Sequence, residues 1–464
     1  MNSSVTFFEG KRRVANLMDL SQWRLTPYQV LVLGFAGLII FGAILLTFPI
    51  ATRSGQGTPF IDALFTATSA VCVTGLVVVD TGTHYSSLGQ MVIILLIQAG
   101  GLGIMAMSTL FALLIGKKIR LKERLLMQEA LNQLTVAGVV RLTIYIIRIT
   151  LLIEFIGGTI LAIHWYPEMG AKGIYYGYWH AVSSFCNAGF DLFGPITGKF
   201  SSITSYVDDI TVNLTIAGLI ILGGIGFSVM HDVWSSRSFG GLSMHSKIVL
   251  VTTAILITAG SMLIYIFEHA NPDTLAPLST QGKLLGSFFQ SVTPRTAGYN
   301  TLDISKLYDE TLLLIIILMF IGASPASTGG GIKTSTTAVL ILAIWALIRG
   351  RSDAECFGRR IPKEIIYKAF SVMFISFVLV IIVTMALSIT EHVSFISVLF
   401  EVTSAFGTVG LTTGITPNLS TAGKAWLIVT MFAGRVGPVT LALAIAMRSR
   451  KAQLQYPDGK IIIG

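Results

Sequence analysis

Apolar residues run in long unbroken stretches along most of this chain, and eight stretches are long enough to cross a hydrocarbon layer of roughly 30 Å. They fall at residues 30–50, 86–116, 142–164, 211–230, 248–267, 312–348, 369–390 and 425–447. Each predicts a helix, because backbone surrounded by lipid must satisfy its own hydrogen bonds. Within each successive pair lies a shorter apolar segment, at 60–73, 174–186, 284–292 and 395–406, too short to cross. Each short segment runs into a polar stretch that ends on a glycine: Gly75, Gly189, Gly298 and Gly410, a period of about 110 residues. Ten positions before these glycines stand Phe65, Trp179, Phe288 and Phe400. Six positions before them stand Ser69, Ser183 and Ser404, with Val292 the exception.

The pattern predicts an all-α integral membrane fold. Four tandem repeats of helix, pore helix, filter and helix surround one pseudo-fourfold pore, with eight spanning helices and four re-entrant segments. The predicted divisions are a cytoplasmic N-terminal segment (1–26), repeats at 27–140, 141–243, 244–364 and 365–448, and a cytoplasmic tail (449–464). A single short apolar run also reads as an amphipathic helix in an outer loop. Four in register point instead to segments that enter the membrane and meet around one axis, since irregular backbone at that depth must line a cavity or lie within protein.

Composition agrees. Of 464 residues 53% are hydrophobic and 12% charged, against about 25% charged in soluble proteins. The mean hydropathy is +0.76. Basic residues set the orientation: 22 Lys and Arg fall in the termini and in the loops after the second, fourth and sixth spans, against six on the opposite side. Both termini are therefore expected in the cytoplasm. The net charge of +9 reflects this asymmetry and does not argue for nucleic acid. A basic start leads directly into a full-length span, with no cleavable leader expected. Cys72, Cys186 and Cys356 are too few for a disulfide framework and read as packing residues. Seven scattered histidines show no metal spacing, and no nucleophile–base set appears, so an enzyme is not expected. Residues 117–141 and 349–368 are charged cytoplasmic stretches, either solvated faces or docking surfaces.

A dehydrated monovalent cation needs several oxygen ligands, which backbone carbonyls supply without a trapping charge. Turning successive carbonyls toward one axis requires backbone angles that glycine accepts. The candidate ion-binding residues are Val73, Thr74 and Gly75; Asn187, Ala188 and Gly189; Thr296, Ala297 and Gly298; and Thr408, Val409 and Gly410. Arg295 beside the third set reads as a tether for carbonyls or for a carboxylate such as Glu401. The sixth span is interrupted at 322–337 by Gly322, Ser324, Pro325, Ser327, Thr328, Gly329, Gly330, Gly331 and Lys333. Proline and a glycine run break a helix, so a loop is expected below the filter, either a gate or a passive kink. Lys333 either reaches a carboxylate or carbonyl or snorkels to the interface. The motif Gly-Gly-x-Gly recurs at Gly100, Gly223 and Gly434, where Arg435 replaces the second glycine. The glycines read as close helix packing. Arg435 either faces the ion path, as part of the gate, or ties the last inner helix in place.

The run Asp62-Ala-Leu-Phe-Thr-Ala-Thr-Ser-Ala70, Val73-Thr-Gly-Leu76, Arg295-Thr-Ala-Gly-Tyr299, Ser327-Thr-Gly-Gly-Gly-Ile-Lys333, Gly434-Arg-Val-Gly-Pro438 and the ending Tyr456-Pro-Asp through Gly464 carry a specific resemblance. The chain resembles the Trk/Ktr/HKT superfamily of cation transporters, and within it the membrane subunits of bacterial Ktr potassium uptake systems, from about residue 27 to the end. The resemblance implies a multi-pass protein of the bacterial cytoplasmic membrane that forms homodimers with one pore per subunit. It also implies a cytoplasmic ring of KtrA-like nucleotide-binding regulatory subunits, potassium as substrate at the filter carbonyls, sodium as a frequent activator, and no cofactor bound by this chain. Members with serine at the first filter glycine tend to pass sodium; Gly75 is intact here, which favours potassium.

Two mechanisms stay open. One is a channel-like pathway driven by membrane potential, worth about 2.3 kcal/mol per 100 mV against about 1.4 kcal/mol per tenfold gradient. The other is a sodium- or proton-coupled symporter, which calls for ionisable groups at a second site; Arg148 and Glu154 in the third span are the candidate pair. A sodium-permeable member of the same family is a further reading.

Overall fold

The computed structural model describes residues 26–103, 106 and 139–445. The predicted terminal segments apart from Thr26, residues 117–138 of the charged stretch 117–141 and most of the second half of the second span lie outside the described residues.

The described residues are helical, apart from a hairpin of two two-residue strands. In order the main elements are α1 (Pro27–Thr47), α2 (Phe60–Cys72), α3 (Ser87–Leu102), α4 (Val139–Met169), α5 (Ala171–Phe185), α6 (Ile210–Gly224), α7 (Phe227–Ser236), α8 (Met244–Glu268), α9 (Thr280–Val292), α10 (Asp309–Phe320) and α11 (Thr334–Ile348). The hairpin β1 (Glu355–Cys356) and β2 (Arg359–Arg360) follows, then α12 (Lys363–Thr390), α13 (Phe395–Gly407), α14 (Thr421–Val436) and α15 (Pro438–Ile445). Hydroxyl and carboxylate caps start these helices where the sequence supplies them. Thr26 and Gln29 form a capping box with Pro27 at the first position of α1. Ser86, Asp209, Ser279, Ser394 and Ser420 cap α3, α6, α9, α13 and α14.

Among the described residues, four helices are long and apolar enough to cross a membrane unaided: Tyr28–Thr47, Val139–Met169, Met244–Glu268 and Lys363–Thr390. Their outward faces are apolar and exposed, as with Phe370, Phe374, Phe377 and Met385 on α12, which suits contact with lipid. The spans expected at 211–230 and 425–447 are not continuous. Between α6 and α7 the axis bends by 96°, and α14 and α15 are parted at Gly437. The cause is a glycine at positive φ in each break, Gly226 at 94° and Gly437 at 91°, a conformation that ends a right-handed helix. Gly103 stands at 84° at the end of α3.

The short helices α2, α5, α9 and α13 form the centre. α3 packs on α2 and α5, α6 on α5 and α9, α10 on α13, and α14 on both α13 and α2. The last inner helix thus returns to the first short one, and Lys424 of α14 pairs with Asp62 of α2 at 2.7 Å to close the circle. Close approach depends on glycine. A Cβ on Gly100, Gly223 or Gly434 would fall on the carbonyl oxygen of Val71, Phe185 or Phe406, each four residues before a periodic glycine. The packing reading of the first two therefore holds and extends to the third. Buried carboxylates anchor two inner helices at their starts, where the helix dipole favours an anion. Glu268 accepts from Tyr308 N at 3.0 Å and Thr311 Oγ1 at 2.6 Å. Glu391 accepts from Ser420 N at 3.2 Å and Ser420 Oγ at 2.5 Å.

Candidate functional site: a ring of four glycines over a broken helix

The four periodic glycines lie side by side. A Cβ on Gly75 would stand 2.5 Å from Ala188 O, one on Gly189 2.6 Å from Ala297 O, and one on Gly298 2.5 Å from Val409 O. One on Gly410 would fall on Thr74 O, so the ring closes. Each contact joins a glycine to the carbonyl just before the next glycine, so the four segments form one cycle in chain order. All twelve residues expected in the ion path, from Val73 through Gly410, belong to these four segments. The eight side chains beside the third-place glycines and behind the ring (Val73, Thr74, Asn187, Ala188, Thr296, Ala297, Thr408, Val409) are fully buried.

The backbone alternates in hand. Positive φ occurs at Val73 and Gly75 (57° and 93°), Asn187 and Gly189 (59° and 68°), Thr296 and Gly298 (72° and 82°), and Thr408 and Gly410 (51° and 96°). Left-handed geometry is uncommon outside glycine, and for β-branched Val73, Thr296 and Thr408 it is a true outlier. Such strain persists only where surrounding structure over-determines it, and hydroxyls supply that hold. Gly75 N donates to Ser69 Oγ at 3.0 Å and Gly410 N to Ser404 Oγ at 3.1 Å. Ser183 Oγ donates to Phe190 O at 2.9 Å. In the third segment, where Val292 replaces the serine, Thr293 one residue later donates to Tyr299 O at 2.5 Å. The sequence signal for these braces was the recurrent serine, which carried no assigned role.

The broken sixth span lies against this ring. Residues 321–333 form the loop; Thr334–Thr337, expected as part of it, begin α11 instead. Ser324 N donates to Gly224 O at 3.0 Å and Thr328 N to Gly223 O at 3.2 Å. Thr328 Oγ1 donates to Phe185 O at 3.3 Å, and Gly330 N donates to Thr408 Oγ1 at 2.9 Å. Ser327 Oγ donates to Ser324 O at 2.6 Å inside the loop. A Cβ on Gly329 would fall on Thr296 Oγ1, and one on Gly226 would stand 2.5 Å from Pro325 O. A Cβ on Gly322 would likewise meet Gly330 O, and Gly331 itself has φ of 68°. Lys333 turns back into its own loop: its Nζ donates to Gly329 O at 2.7 Å. It therefore reaches a carbonyl, and neither meets a carboxylate nor snorkels. Arg435 donates through Nη1 to Thr328 O and through Nη2 to Gly100 O, with Gly101 O at 3.3 Å. It thus ties the loop to α3 from α14 using carbonyls alone.

Two expected pairs do not form. Arg295 and Glu401 are apart. Arg295 lines a small apolar space with Ile220, Ile221, Gly224 and Val292, and its Nε and Nη2 have no partner among the described residues. Glu401 bonds Thr416. Arg148 and Glu154 are also apart, because six positions on a helix of 3.6 residues per turn leave two side chains about 120° apart around its axis. Glu154 instead accepts from Gln98 Nε2 at 3.1 Å, with Cys186 Sγ at 3.9 Å.

The family model described as TrkH, cation transport protein, matches residues 26–454. The chain is 46% identical to the Ktr system potassium uptake protein B of Bacillus subtilis (strain 168), covering 95% of this chain and 97% of that protein. It is 42% identical to the potassium/sodium uptake protein NtpJ of Enterococcus hirae, covering 95% and 98%. The crystal structure of the potassium transporter TrkH from Vibrio parahaemolyticus shares the fold at a TM-score of 0.71 and 16% identity, over 92% of this chain and 86% of that one.

Proposed function

This chain belongs to the TrkH family of cation transport proteins, and from that premise we propose that it takes up potassium through a channel-like path whose selectivity filter is the ring of Gly75, Gly189, Gly298 and Gly410. The observation that carries the reading is the closed cycle of contacts in which each glycine meets the carbonyl of Thr74, Ala188, Ala297 or Val409 from its neighbouring segment. Four like segments give four like sets of carbonyls, and alternation of hand along each segment suits successive carbonyls facing one axis. Carbonyl rings replace an ion's hydration shell without holding it too tightly to leave.

The four segments and their flanking helices are read as four repeats, with the loop 321–333 as the gate and Arg435 as its tie. The loop suits a switch because its hydroxyl and glycine groups bond the ring above (Thr408), the inner helix beside it (Gly223, Gly224) and Arg435. The protein works in a bacterial cytoplasmic membrane with both termini inside, as a homodimer regulated by a cytoplasmic nucleotide-binding partner. Relatives described as members of a Ktr system support a multi-component assembly. The symporter reading loses its candidate ion pair, since Glu154 bonds Gln98 and not Arg148. A sodium-permeable variant of the same path keeps one specific support, the likeness to a potassium/sodium uptake protein.

Flux into proteoliposomes with an imposed inside-negative potential, and no sodium or proton gradient, tests this directly. Potassium and rubidium are expected to accumulate, with sodium excluded. Uptake that appears only when a sodium or proton gradient is added would establish coupling and overturn the channel-like reading.

A further inference from the structure

Arg148 is a charge on the lipid-facing side of a long span. It is exposed on α4, as are Arg141 nearer the Val139 end and Leu152 and Phe155 nearer the Met169 end. Seven positions part the two arginines, two turns of helix, so they share one face with the half-buried Tyr145 between them. None of the ion pairs among the described residues includes either arginine, and neither has a hydrogen-bond partner there. A charge facing hydrocarbon is costly unless its head reaches a polar partner.

Two markers fix the depth of Arg148. Near the outer end of α4, His164 pairs at 2.8 Å with Asp209, the cap that starts α6. Arg148 stands sixteen residues from that level, about 24 Å along the axis, near the far side of a hydrocarbon layer of roughly 30 Å. Tyr145, about 5 Å further along, packs edge-on against His231 of α7, with ring centroids 5.0 Å apart. α7 is turned 96° from α6, so it runs along the membrane rather than through it, with Trp234 76% exposed. Exposed tryptophan belongs at the headgroup boundary, and both markers place that boundary just beyond Arg148. The Cα–Cβ bonds of a helix tilt toward its N-terminus, which in α4 is the Val139 end. The stem of Arg148 therefore leads out of the apolar layer, and its guanidinium emerges among headgroups.

We infer that Arg148 and Arg141 bind the headgroup phosphate of an acidic phospholipid in the leaflet on the Val139 side of α4, the cytoplasmic leaflet in the orientation proposed above. A planar guanidinium matches phosphate geometry. Two positive charges on one face, with no described acid beside them, favour a lipid of net negative charge over a zwitterionic one. Leu152 and Phe155, on the same face and deeper in the membrane, meet its acyl chain. Only the choice of leaflet rests on the proposed orientation; the site does not depend on the filter or the gate and is tested without transport.

The measurement is thermal unfolding of the purified full-length protein in uncharged detergent, titrated with phosphatidylglycerol, phosphatidylcholine or inorganic phosphate. Wild type is expected to melt several degrees higher with phosphatidylglycerol than with either of the others. Arg148→Gln is expected to need about fivefold more phosphatidylglycerol for half the rise, equivalent to about 1 kcal/mol for one basic group at an anionic surface. Arg148→Lys keeps the charge and most of the response. Arg359→Gln, at an exposed arginine of the hairpin, is expected to respond as wild type. An equal rise with phosphatidylcholine or inorganic phosphate, no rise in wild type, or an unshifted titration in Arg148→Gln overturns the site. Lower melting of Arg148→Gln without lipid, with its phosphatidylglycerol titration unshifted, would assign the arginine to a carboxylate of this chain or of a second copy and equally overturn it. If Arg148→Gln does not fold, Arg141→Gln takes its place. Its half-saturating phosphatidylglycerol is expected to rise severalfold, and an unchanged value counts against the proposal.

Discussion

Deleting residues 324–330 is expected to raise potassium flux about three- to tenfold, equivalent to about 0.7–1.4 kcal/mol off the barrier, with potassium preference unchanged. The deletion is sterically plausible because the loop's ends already meet. Ile321 pairs with Ile332 across its neck, and Thr334 N donates to Ala323 O at 3.3 Å. Closing a short link between neighbours costs little chain entropy. What the deletion removes is the set of bonds that hold the loop against the ring and inner helices, namely Ser324 to Gly224, Thr328 to Gly223 and Phe185, and Gly330 to Thr408. What it leaves is the bracing of the ring by Ser69, Ser404 and Thr293. Arg435→Ala gives the companion result: it frees Thr328 O and removes a cation below the ring, so flux rises at normal expression. Loss of the protein from the membrane would mark Arg435 as a tie alone. A well-folded deletion variant with wild-type rate and wild-type regulation would show that the loop is no gate.

Substitution within the ring is expected to act on affinity and selectivity. Gly298→Ser and Gly410→Ser place a Cβ against Val409 O and Thr74 O, at positions where φ is 82° and 96°. Holding a residue with a Cβ at that positive φ costs about 1–3 kcal/mol, and the neighbouring carbonyl must move. Apparent potassium affinity should fall by about tenfold or more, since each 1.4 kcal/mol is a factor of ten. Gly75→Ser presses on Ala188 O at 2.5 Å and adds a hydroxyl ligand, so sodium flux should appear. Competition of sodium against rubidium uptake reads both effects. An unchanged potassium preference in all three variants would remove the glycine ring from the selectivity mechanism.

The short helices were legible in the sequence because an apolar run of that length has few other uses in a membrane chain. The segments expected at 60–73 and 395–406 became Phe60–Cys72 and Phe395–Gly407. The interruption of the sixth span was equally legible, since Pro325 and three consecutive glycines leave a helix no continuation. The breaks at Gly226 and Gly437 were not. Gly-Gly-x-Gly inside an apolar run reads as packing, and only the last glycine of each motif carries the positive φ. The charged residues were hardest to place. Arg435, Lys333 and their carbonyl partners show why: a backbone oxygen has no signature in a sequence, so a search among carboxylates finds false partners. Arg295 with Glu401 and Arg148 with Glu154 were such pairs.

Anomalous diffraction from crystals of the protein grown in rubidium shows whether the carbonyls of the glycine ring bind the transported ion. A rubidium peak is expected on the ring axis, ligated by the carbonyl oxygens of Thr74, Ala188, Ala297 and Val409. Rubidium peaks elsewhere in the protein, with none at that ring, would contradict it.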